Sequence, residues 1–394
     1  MTRLLAVVAL LTACTGAPPA TSPAPEQPAA PATTAVAGLD LDDPSACATC
    51  HDAIVTEWSG SMHARAHHEQ DPVFAGLRSL RMKKEGEAVA QTCAQCHTPR
   101  DPANTDSAAA RAGVSCATCH ALSAVDTSGA QVGAAALTFS DDGVLRAQHD
   151  IHSAVAPHGV GKAAPWIADG TSVCLACHGQ LKNGQDVVTC NTGPEHAASG
   201  VEQSCTDCHM PVVDGPAGNV STATKHRSHG MLAGHGLWAD PPQVELMKSN
   251  LEGRLSRSGD RLDLTLTATS GHHFPSAFPG RMVLVKVVGL DASGEVVWHN
   301  FTDDPMTQDP QAVFNTVYVD ADGKPTLPPY GVSKKRDTRL APGETRTLTW
   351  TVPAGVEKTK ATLLYRLVPP PAVAPFGLEG APEATAKPFL TIEE

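Results

Sequence analysis

Aromatic residues are scarce in this chain of 394 residues, because Phe, Trp and Tyr make up only 4% of it. Glycine and proline are common, with 33 and 32 copies, so much backbone has to be covered by few large side chains. A folded core needs buried apolar area to offset the entropy of ordering the chain. The composition therefore favours a fold that takes up large apolar groups from outside the polypeptide.

An excess of positive charge is also missing. The formal net charge is −12, whereas a nucleic-acid-binding protein normally presents a basic face. The charge argues against nucleic-acid partners and favours basic protein partners, although 29 Lys and Arg residues leave room for local positive patches. After the N-terminal residues, no segment is apolar enough to span a membrane.

The N-terminus predicts export. Residues 1–13 combine one Arg with a short apolar run, as in a signal peptide, and Leu11-Thr12-Ala13-Cys14 resembles the lipobox of bacterial lipoproteins. The alternative is a plain secretory signal followed by an incidental Cys14. Residues 14–39 are rich in Pro and Ala and predict an extended tether with a lipid on Cys14. We expect an exported bacterial lipoprotein, periplasm-facing or anchored in the outer membrane, since Thr15 provides no Asp retention signal.

Cysteine is abundant, and ten of the 12 cysteines form five copies of Cys-X-X-Cys-His. The copies start at Cys47, Cys93, Cys116, Cys174 and Cys205. Their unequal spacing excludes a solenoid of identical units, so the repeated feature is a site and not a fold. The two remaining cysteines are Cys14 and Cys190.

Cys-X-X-Cys-His is the attachment motif of c-type haem. Two thiols on one helical turn each form a thioether with a porphyrin vinyl group, and the adjacent His binds the iron. The sequence predicts five covalent haem c groups. The attaching cysteines are Cys47 and Cys50, Cys93 and Cys96, Cys116 and Cys119, Cys174 and Cys177, and Cys205 and Cys208. The proximal iron ligands are His51, His97, His120, His178 and His209.

Other uses of these cysteines explain the pattern less well. Zinc sites do not require a His after every Cys pair, and a thioredoxin-like motif would occur once. Disulfides are plausible in an exported chain, but cysteines three residues apart are poor partners for each other. For Cys190 we expect a free buried thiol; pairing between molecules or an influence on a haem environment are the alternatives.

Thirteen histidines remain to supply distal iron ligands. A second His gives a low-potential haem, whereas Met raises the potential. Because Met is scarce, with eight copies, we expect mostly bis-His ligation. The available residues are His63, His67, His68, His149, His152, His158, His226, His229, His235, His272 and His273, with Met62, Met210 and Met231 as further possibilities.

The chain divides by pattern into two regions. Residues 40–240 hold all five motifs and read as a loop-rich, mainly α-helical region, with its best helix signal from Asp71 to His97. Residues 243–370 contain alternating segments such as "RLDLTLTAT" and predict a small antiparallel β-sandwich, followed by a Pro-rich tail at 371–394. The expected fold class is α+β, a pentahaem cytochrome c domain followed by a β-sandwich.

Several segments resemble the cytochrome c-554-type multihaem proteins. They are "CATCHDAIVTEWSGSMHA", "APHGVGKAAPWIADGTSVCLACHGQLKNG", "CTDCHMPVV" with "HRSHGMLAGH", and, in the sandwich, "SGHHFPSAFPGR" and "KKRDTRLAPGETRTLTW". The resemblance implies that the distal ligands are His63, His158, His229, His235 and His272. The chain departs from the family at "TCNTGPEHAAS", where a Trp is usual. It also lacks the Cys-X-X-Cys-Lys motif of the catalytic haem in many pentahaem nitrite reductases.

We expect an electron-transfer protein in the bacterial cell envelope whose partners are redox proteins, such as a quinol oxidase or other cytochromes. One alternative is a multihaem oxidoreductase acting on a small nitrogen or sulfur compound at a five-coordinate haem, with Lys225 and Arg227 available to line its pocket. Another is that the sandwich binds a partner or a surface polymer.

Overall fold

Short helices separated by loops dominate the first half of the chain. The structure, a computed structural model, describes residues 39–140, 142–150, 157–276 and 278–394, all within one compact unit, Thr33–Glu394. The expected signal peptide, the tether up to residue 38, Cys14 and the candidate His152 lie outside the described residues. Within the described ranges, no helix has the length and apolarity needed to cross a bilayer.

The first region consists of small elements that follow one another along the chain. Its helices are α1 (Ser45–Ser59), α2 (Pro72–Glu85), α3 (Val89–His97), α4 (Ala108–Arg111), α5 (Cys116–His120), α6 (Pro165–Ala168), α7 (Ser172–His178), α8 (Thr192–Ser199) and α9 (Cys205–His209). Its strands form two-stranded ribbons and are β1 (Leu122–Val125), β2 (Leu137–Phe139), β3 (Val144–Leu145), β4 (Gly159–Val160), β5 (Gln180–Lys182), β6 (Val188–Asn191), β7 (Val212–Asp214) and β8 (Lys225–Arg227).

The helix expected between Asp71 and His97 is divided in two. Asp71 caps α2 by accepting hydrogen bonds from the backbone N–H groups of Val73 and Phe74. Gly86 ends α2 with a φ of 89°, a conformation that favours glycine and breaks the helical hydrogen-bond ladder. A second helix, α3, then carries the second motif, so the single helix of the sequence interpretation is wrong at this point.

The second region is built mainly of antiparallel strands. Its elements are α10 (Glu245–Ser249), β9 (Leu251–Ser258), β10 (Arg261–Ala268), β11 (Met282–Leu290), β12 (Val296–His299), α11 (Pro305–Gln308), β13 (Val313–Phe314), β14 (Thr316–Val319), β15 (Pro325–Thr326), β16 (Ser333–Asp337), β17 (Thr345–Thr351), β18 (Lys358–Arg366), α12 (Pro370–Val373) and β19 (Lys387–Glu393). One sheet has the order β17-β10-β9, a second β12-β11-β18-β19 with β13 on β11, and a third β15-β14-β16.

The first two of these sheets face each other across one apolar core. Leu262, Leu264 and Leu266 alternate with more exposed residues along β10 and are fully buried. They share a core with Val283, Val285 and Val287 of β11 and with Leu363 of β18. The α+β fold and the strands expected from the alternating segments are therefore confirmed.

The C-terminal residues differ from the expected tail. Residues 387–393 form β19, which pairs antiparallel with β18, placing Leu363 opposite Leu390 and Ala361 opposite Ile392. Phe389 is buried in the sandwich core. The sandwich therefore extends beyond residue 370 and takes its last strand from the segment that was expected to be a tail. An alternating apolar pattern of this short length is easily missed after a Pro-rich stretch.

Helix α2 attaches the motif-bearing region to the sandwich. Val73 belongs to the sandwich core, and Leu77 and Leu80 pack against it at helical spacing. Gly76 lies on the same face, where a Cβ atom would come 2.5 Å from the Phe376 carbonyl oxygen. The two regions thus share apolar packing, and the motif-bearing helices are held on the sandwich.

Candidate haem-binding sites

Each Cys-X-X-Cys-His motif lies on a helical turn. The helices α3, α5, α7 and α9 end at the His of their motif, and α1 contains the first motif with a break in helical geometry at His51 (φ −119°, ψ 40°). Residues i and i+3 share one helix face, so the two thiols of each motif lie side by side. The following His is then positioned at the helix end, as attachment of a haem requires.

Four of the five motif imidazoles are oriented by a backbone carbonyl group. The Nδ1 atom of His51 lies 2.6 Å from the backbone oxygen of Ala217. The Nδ1 atom of His97 lies 2.9 Å from the backbone oxygen of Ala66, and that of His120 lies 2.6 Å from the backbone oxygen of Arg146. His209 makes the same contact with Leu232. A carbonyl oxygen only accepts, so Nδ1 carries the proton and Nε2 keeps the lone pair that binds a metal.

Three of the five motif imidazoles face a second imidazole at a uniform separation. The ring centres are 6.2 Å apart for His63 and His178, 6.3 Å for His120 and His229, and 6.2 Å for His209 and His272. A metal–imidazole bond is about 2 Å long, so two imidazoles on opposite sides of one metal ion place their ring centres about 6.3 Å apart. The three pairs therefore fit the axial ligands of three haem irons.

Three of the five distal candidates carry the same orienting hydrogen bond as the motif histidines. Nδ1 of His229 lies 2.9 Å from the Arg227 oxygen, that of His272 3.1 Å from His273, and that of His158 2.9 Å from Gly159. These contacts fix the tautomer that leaves Nε2 free.

The environment of the paired histidines keeps them neutral. Burial, followed by the charges of His178, His209 and His97, lowers the pKa of His63 to about 4. Burial and the His120 charge likewise lower the pKa of His229 to about 4, against hydrogen bonding to Arg227. A neutral imidazole is the form that binds a metal, so these residues are ready to bind iron near neutral pH.

His158 lies near the third motif. Burial lowers the pKa of His120, and the charges of His51 and His158 lower it further, against the hydrogen bond to Arg146. Both histidines therefore lie close to His120, whose ring already faces His229.

His235 is placed differently from the other candidates. Its Nε2 atom, which would bind iron, lies 3.4 Å from the Arg281 guanidinium, and its pKa is held well below the usual range by burial and by the charges of Arg281 and Arg65. In the described part of the chain, its ring is not paired with a motif imidazole at the spacing of the three pairs above. The structure thus does not bring together every residue of the predicted ligand set.

Several other histidines use Nε2 for protein hydrogen bonds. The Nε2 atom of His67 lies 2.8 Å from the Thr105 oxygen, that of His196 2.9 Å from Gln203, and that of His226 3.1 Å from Glu57 Oε1. These contacts occupy the atom that would bind iron. These hydrogen bonds distinguish His67, His196 and His226 from the distal candidates, a distinction that spacing along the sequence does not provide.

The second motif has a different neighbour. The Phe74 ring stacks on His97 with 3.6 Å between ring centres and 12° between planes, too close for a metal ion between them. His68, Arg78 and Thr105 line the space beside His97. No sequence pattern pointed to Phe74, because its helix signal reads as core packing and its partner lies 23 residues further along the chain.

The motifs are neighbours in space. The Cys47 thiol lies beside that of Cys116, Cys96 lies beside Cys177, and Cys174 lies beside Cys205. These contacts lower the pKa of Cys47 to about 7 and that of Cys205 to about 6 and raise those of their partners. They connect the first motif to the third, the second to the fourth, and the fourth to the fifth.

The third motif also reaches the fourth. Cys119 is close enough to raise the pKa of Cys174 and Cys177 through its charge, after the larger effects of the thiol contacts and burial. All five motifs therefore form one continuous group. Cys190 lies outside this group, with its Sγ 3.8 Å from Thr192 Oγ1, and burial raises its pKa.

Comparisons with known proteins agree with this geometry. The sequence model of the family described as "Cytochrome c554 and c-prime" matches residues 46–121, which contain the first three motifs. The fold is similar to that of a penta-heme cytochrome c552 from Thermochromatium tepidum, with a TM-score of 0.75 and 26% sequence identity over 88% of this chain and 97% of that one. No curated protein matches the sequence. The chain is a multihaem c-type cytochrome, and both similarities support haem c as its cofactor.

Proposed function

We propose that this cytochrome carries electrons through five covalently bound haems, most of them with two axial histidines. The observation that carries the proposal is the set of three imidazole pairs with ring centres 6.2–6.3 Å apart. An iron with two axial histidines has no open position for a small substrate, so its remaining role is to exchange electrons. When bound, each haem supplies an iron that alternates between the ferric and ferrous states.

The ligand assignments follow from the contacts of each histidine. We assign His63 to the iron held by His178, His229 to that held by His120, and His272 to that held by His209. His158 is assigned to the His51 site because it and His51 both lie close to His120, whose own ring already faces His229. The count of five rests on five motifs in the sequence and is supported by the penta-heme neighbour.

The continuity of the motifs supports the electron-transfer role. Thiol contacts join neighbouring motifs, and each thiol marks an attachment point of one porphyrin. The fourth motif adjoins the second, third and fifth and so occupies a branching position. Such an arrangement serves electron exchange within one protein molecule and requires no proton-transfer residue.

The cellular setting is proposed from the sequence. A signal peptide at residues 1–13 and a lipid on Cys14 would hold the protein at a bacterial membrane, facing the periplasm or anchored in the outer membrane. Its partners would be redox proteins of the cell-envelope respiratory chain, such as a quinol oxidase or other cytochromes. The net charge of −12 favours docking to a basic surface.

Haem quantification with low-temperature EPR of the oxidised protein tests the electron-transfer proposal. We expect five haems per chain, mostly low-spin, and optical reduction in several steps of a potentiometric titration. A protein with most haems high-spin, or with fewer than five haems, would contradict it.

Mass spectrometry of membrane-extracted protein tests the proposed anchor, which predicts a lipid-modified N-terminus at Cys14.

A second function is favoured by the environment of His97. Its ring faces Phe74 and not an imidazole, and His68, Arg78 and Thr105 supply polar groups beside it. An open iron there would suit an oxidoreductase acting on a small nitrogen or sulfur compound. Nitrite, hydroxylamine or carbon monoxide added to the protein distinguishes the two functions: a spectral shift in one haem supports the enzyme, and no shift supports electron transfer alone.

A further inference from the structure

A buried carboxylate connects the segment between the fourth and fifth motifs to the sandwich. Glu195 lies in α8, and its side chain is only 4% exposed. Its Oε1 atom lies 3.0 Å from the Arg339 guanidinium, and its Oε2 atom accepts a hydrogen bond of 3.3 Å from the His273 backbone N–H. Glu195 thus contacts the sandwich at two separate segments.

The contact is a built network. Arg339 also donates to both oxygens of Asp337, at 2.9 and 2.8 Å, and is itself only 13% exposed. The Nδ1 atom of His273 lies 3.4 Å from Glu195 Oε1, a contact without hydrogen-bond alignment. A buried carboxylate is costly unless it is paired, and Glu195 is paired on both oxygens.

The same peptide segment carries a ligand of the fifth site. The His273 carbonyl accepts from Nδ1 of His272, while the His273 N–H donates to Glu195. Ser270 Oγ donates to the His272 carbonyl at 2.7 Å. Gly271 packs on α8 so closely that a Cβ atom would lie 3.1 Å from the His196 ring. The backbone around His272 is therefore held from both sides, and on the motif-bearing region Glu195 bonds His273 while His196 packs on Gly271.

We propose that Glu195 is a positioning residue that holds His272 against His209, so that docking of the sandwich determines the ligand set of the fifth haem. The proposal rests on the assignment of His272 made under the proposed function. Glu195 would not touch the iron; it acts through the backbone of His273 and through Arg339.

A second carboxylate provides a matched control. Glu57 in α1 accepts a 2.8 Å hydrogen bond from the His229 backbone N–H with Oε2 and contacts His226 Nε2 with Oε1. Glu57 therefore holds His229, the distal candidate of the third site, much as Glu195 is proposed to hold His272 at the fifth. Substitution of Glu57 disturbs a different haem and separates a local positioning effect from a general loss of stability.

The test compares EPR and optical spectra of haem-loaded Glu195→Ala, Glu195→Gln, Glu57→Ala and His272→Ala, with haem content measured for each. We expect His272→Ala to convert one haem in five to the high-spin form and Glu195→Ala to convert the same haem. Glu195→Gln should convert a smaller fraction, because its amide oxygen still accepts from His273. Glu57→Ala should convert a different haem. The double variant Glu195→Ala/His272→Ala should convert only the haem that His272→Ala converts by itself.

The outcomes separate the two proposals. If His272→Ala leaves every haem low-spin, the assignment of His272 is wrong, and the positioning role falls with it. If His272→Ala converts one haem while both Glu195 variants retain the wild-type spectrum, the assignment stands and the positioning role is overturned. If Glu195→Ala and Glu57→Ala disturb all haems alike, the effect is general destabilisation, which also contradicts the proposal.

Discussion

The imidazoles of His209 and His272 lie 6.2 Å apart between ring centres and within 17° of parallel. His209 ends α9 in the motif-bearing region, whereas His272 lies in the loop between β10 and β11 of the sandwich. Residues from both regions therefore meet at the fifth motif. If His272 binds the fifth iron, as proposed, the sandwich is part of the redox apparatus and not an independent binding module.

Replacement of a distal histidine should open one iron. We expect His229→Ala to convert one haem in five from low-spin to high-spin, because His229 faces His120 and is the proposed second ligand of that iron. His63→Ala should convert a different haem, the one held by His178. EPR of the oxidised proteins measures both changes.

The exposed His299 in β12 provides the control for these substitutions. His299→Ala should leave all haems as in the wild type. An unchanged spectrum for His229→Ala would show that His229 is not a ligand of the third haem. Conversion of the same haem by both distal substitutions would show that the pairing of sites is wrong.

Removal of a motif's cysteines should remove one haem. We expect Cys93→Ser/Cys96→Ser to lower the haem content from five to four per chain, since both thioethers of the second site are lost. The pyridine haemochrome absorbance per protein measures the content. Cys190→Ser is the matched control and should retain five, because Cys190 lies outside the motifs; a loss of haem there would show that Cys190 takes part in a haem site.

A methyl group at Gly76 should weaken the attachment of α2 to the sandwich. The added Cβ of Gly76→Ala would lie 2.5 Å from the Phe376 carbonyl oxygen and 2.6 Å from the Phe376 Cβ. Overpacking of this kind costs about 1–3 kcal/mol, more than alanine gains by its helix propensity. Chemical denaturation followed by circular dichroism measures the free energy of unfolding.

Gly184→Ala is the control for the packing argument. No atom lies within 4 Å of a Cβ built at Gly184, so we expect a change within about 0.5 kcal/mol. Equal stability of Gly76→Ala and the wild type would show that α2 can move away from Phe376 without loss. That result would contradict tight packing between the two regions.

Loss of the indole N–H at Trp350 should destabilise the sandwich. Trp350 Nε1 donates a 2.7 Å hydrogen bond to Asp309 Oδ2, and both residues are buried. Trp350→Phe leaves that carboxylate oxygen with the Asn300 amide as its remaining donor. A hydrogen bond to a charged group contributes about 1.5–3 kcal/mol, and we expect a loss of stability of that size.

Trp298→Phe is the comparison for this substitution. Trp298 is partly buried against the same core and has no side-chain hydrogen bond among the described residues. The free energy of unfolding of Trp298→Phe should therefore fall by less than that of Trp350→Phe. Equal effects would mean that ring size, and not the bond to Asp309, accounts for the change.

The sequence determined the chemistry of this protein. Attachment of haem needs two thiols and an imidazole on one helical turn. This requirement is local, and each of the five short motifs contains all three groups. The alternation of β10 and β11 likewise predicts their strands, since period-two burial is a property of consecutive residues. The distal set was predicted only through resemblance, and the structure pairs His63, His229 and His272 with motif imidazoles while His235 faces Arg281.

The tertiary structure decided which residues meet across long stretches of chain. His272 is 63 positions from His209, Glu195 is 144 from Arg339, and β19 pairs with β18 after a Pro-rich segment. Spacing along a sequence carries no information about such contacts, because they depend on how the packed regions dock. Iron ligation on the distal side is a contact of this kind, whereas the proximal ligand is fixed by the turn that contains it.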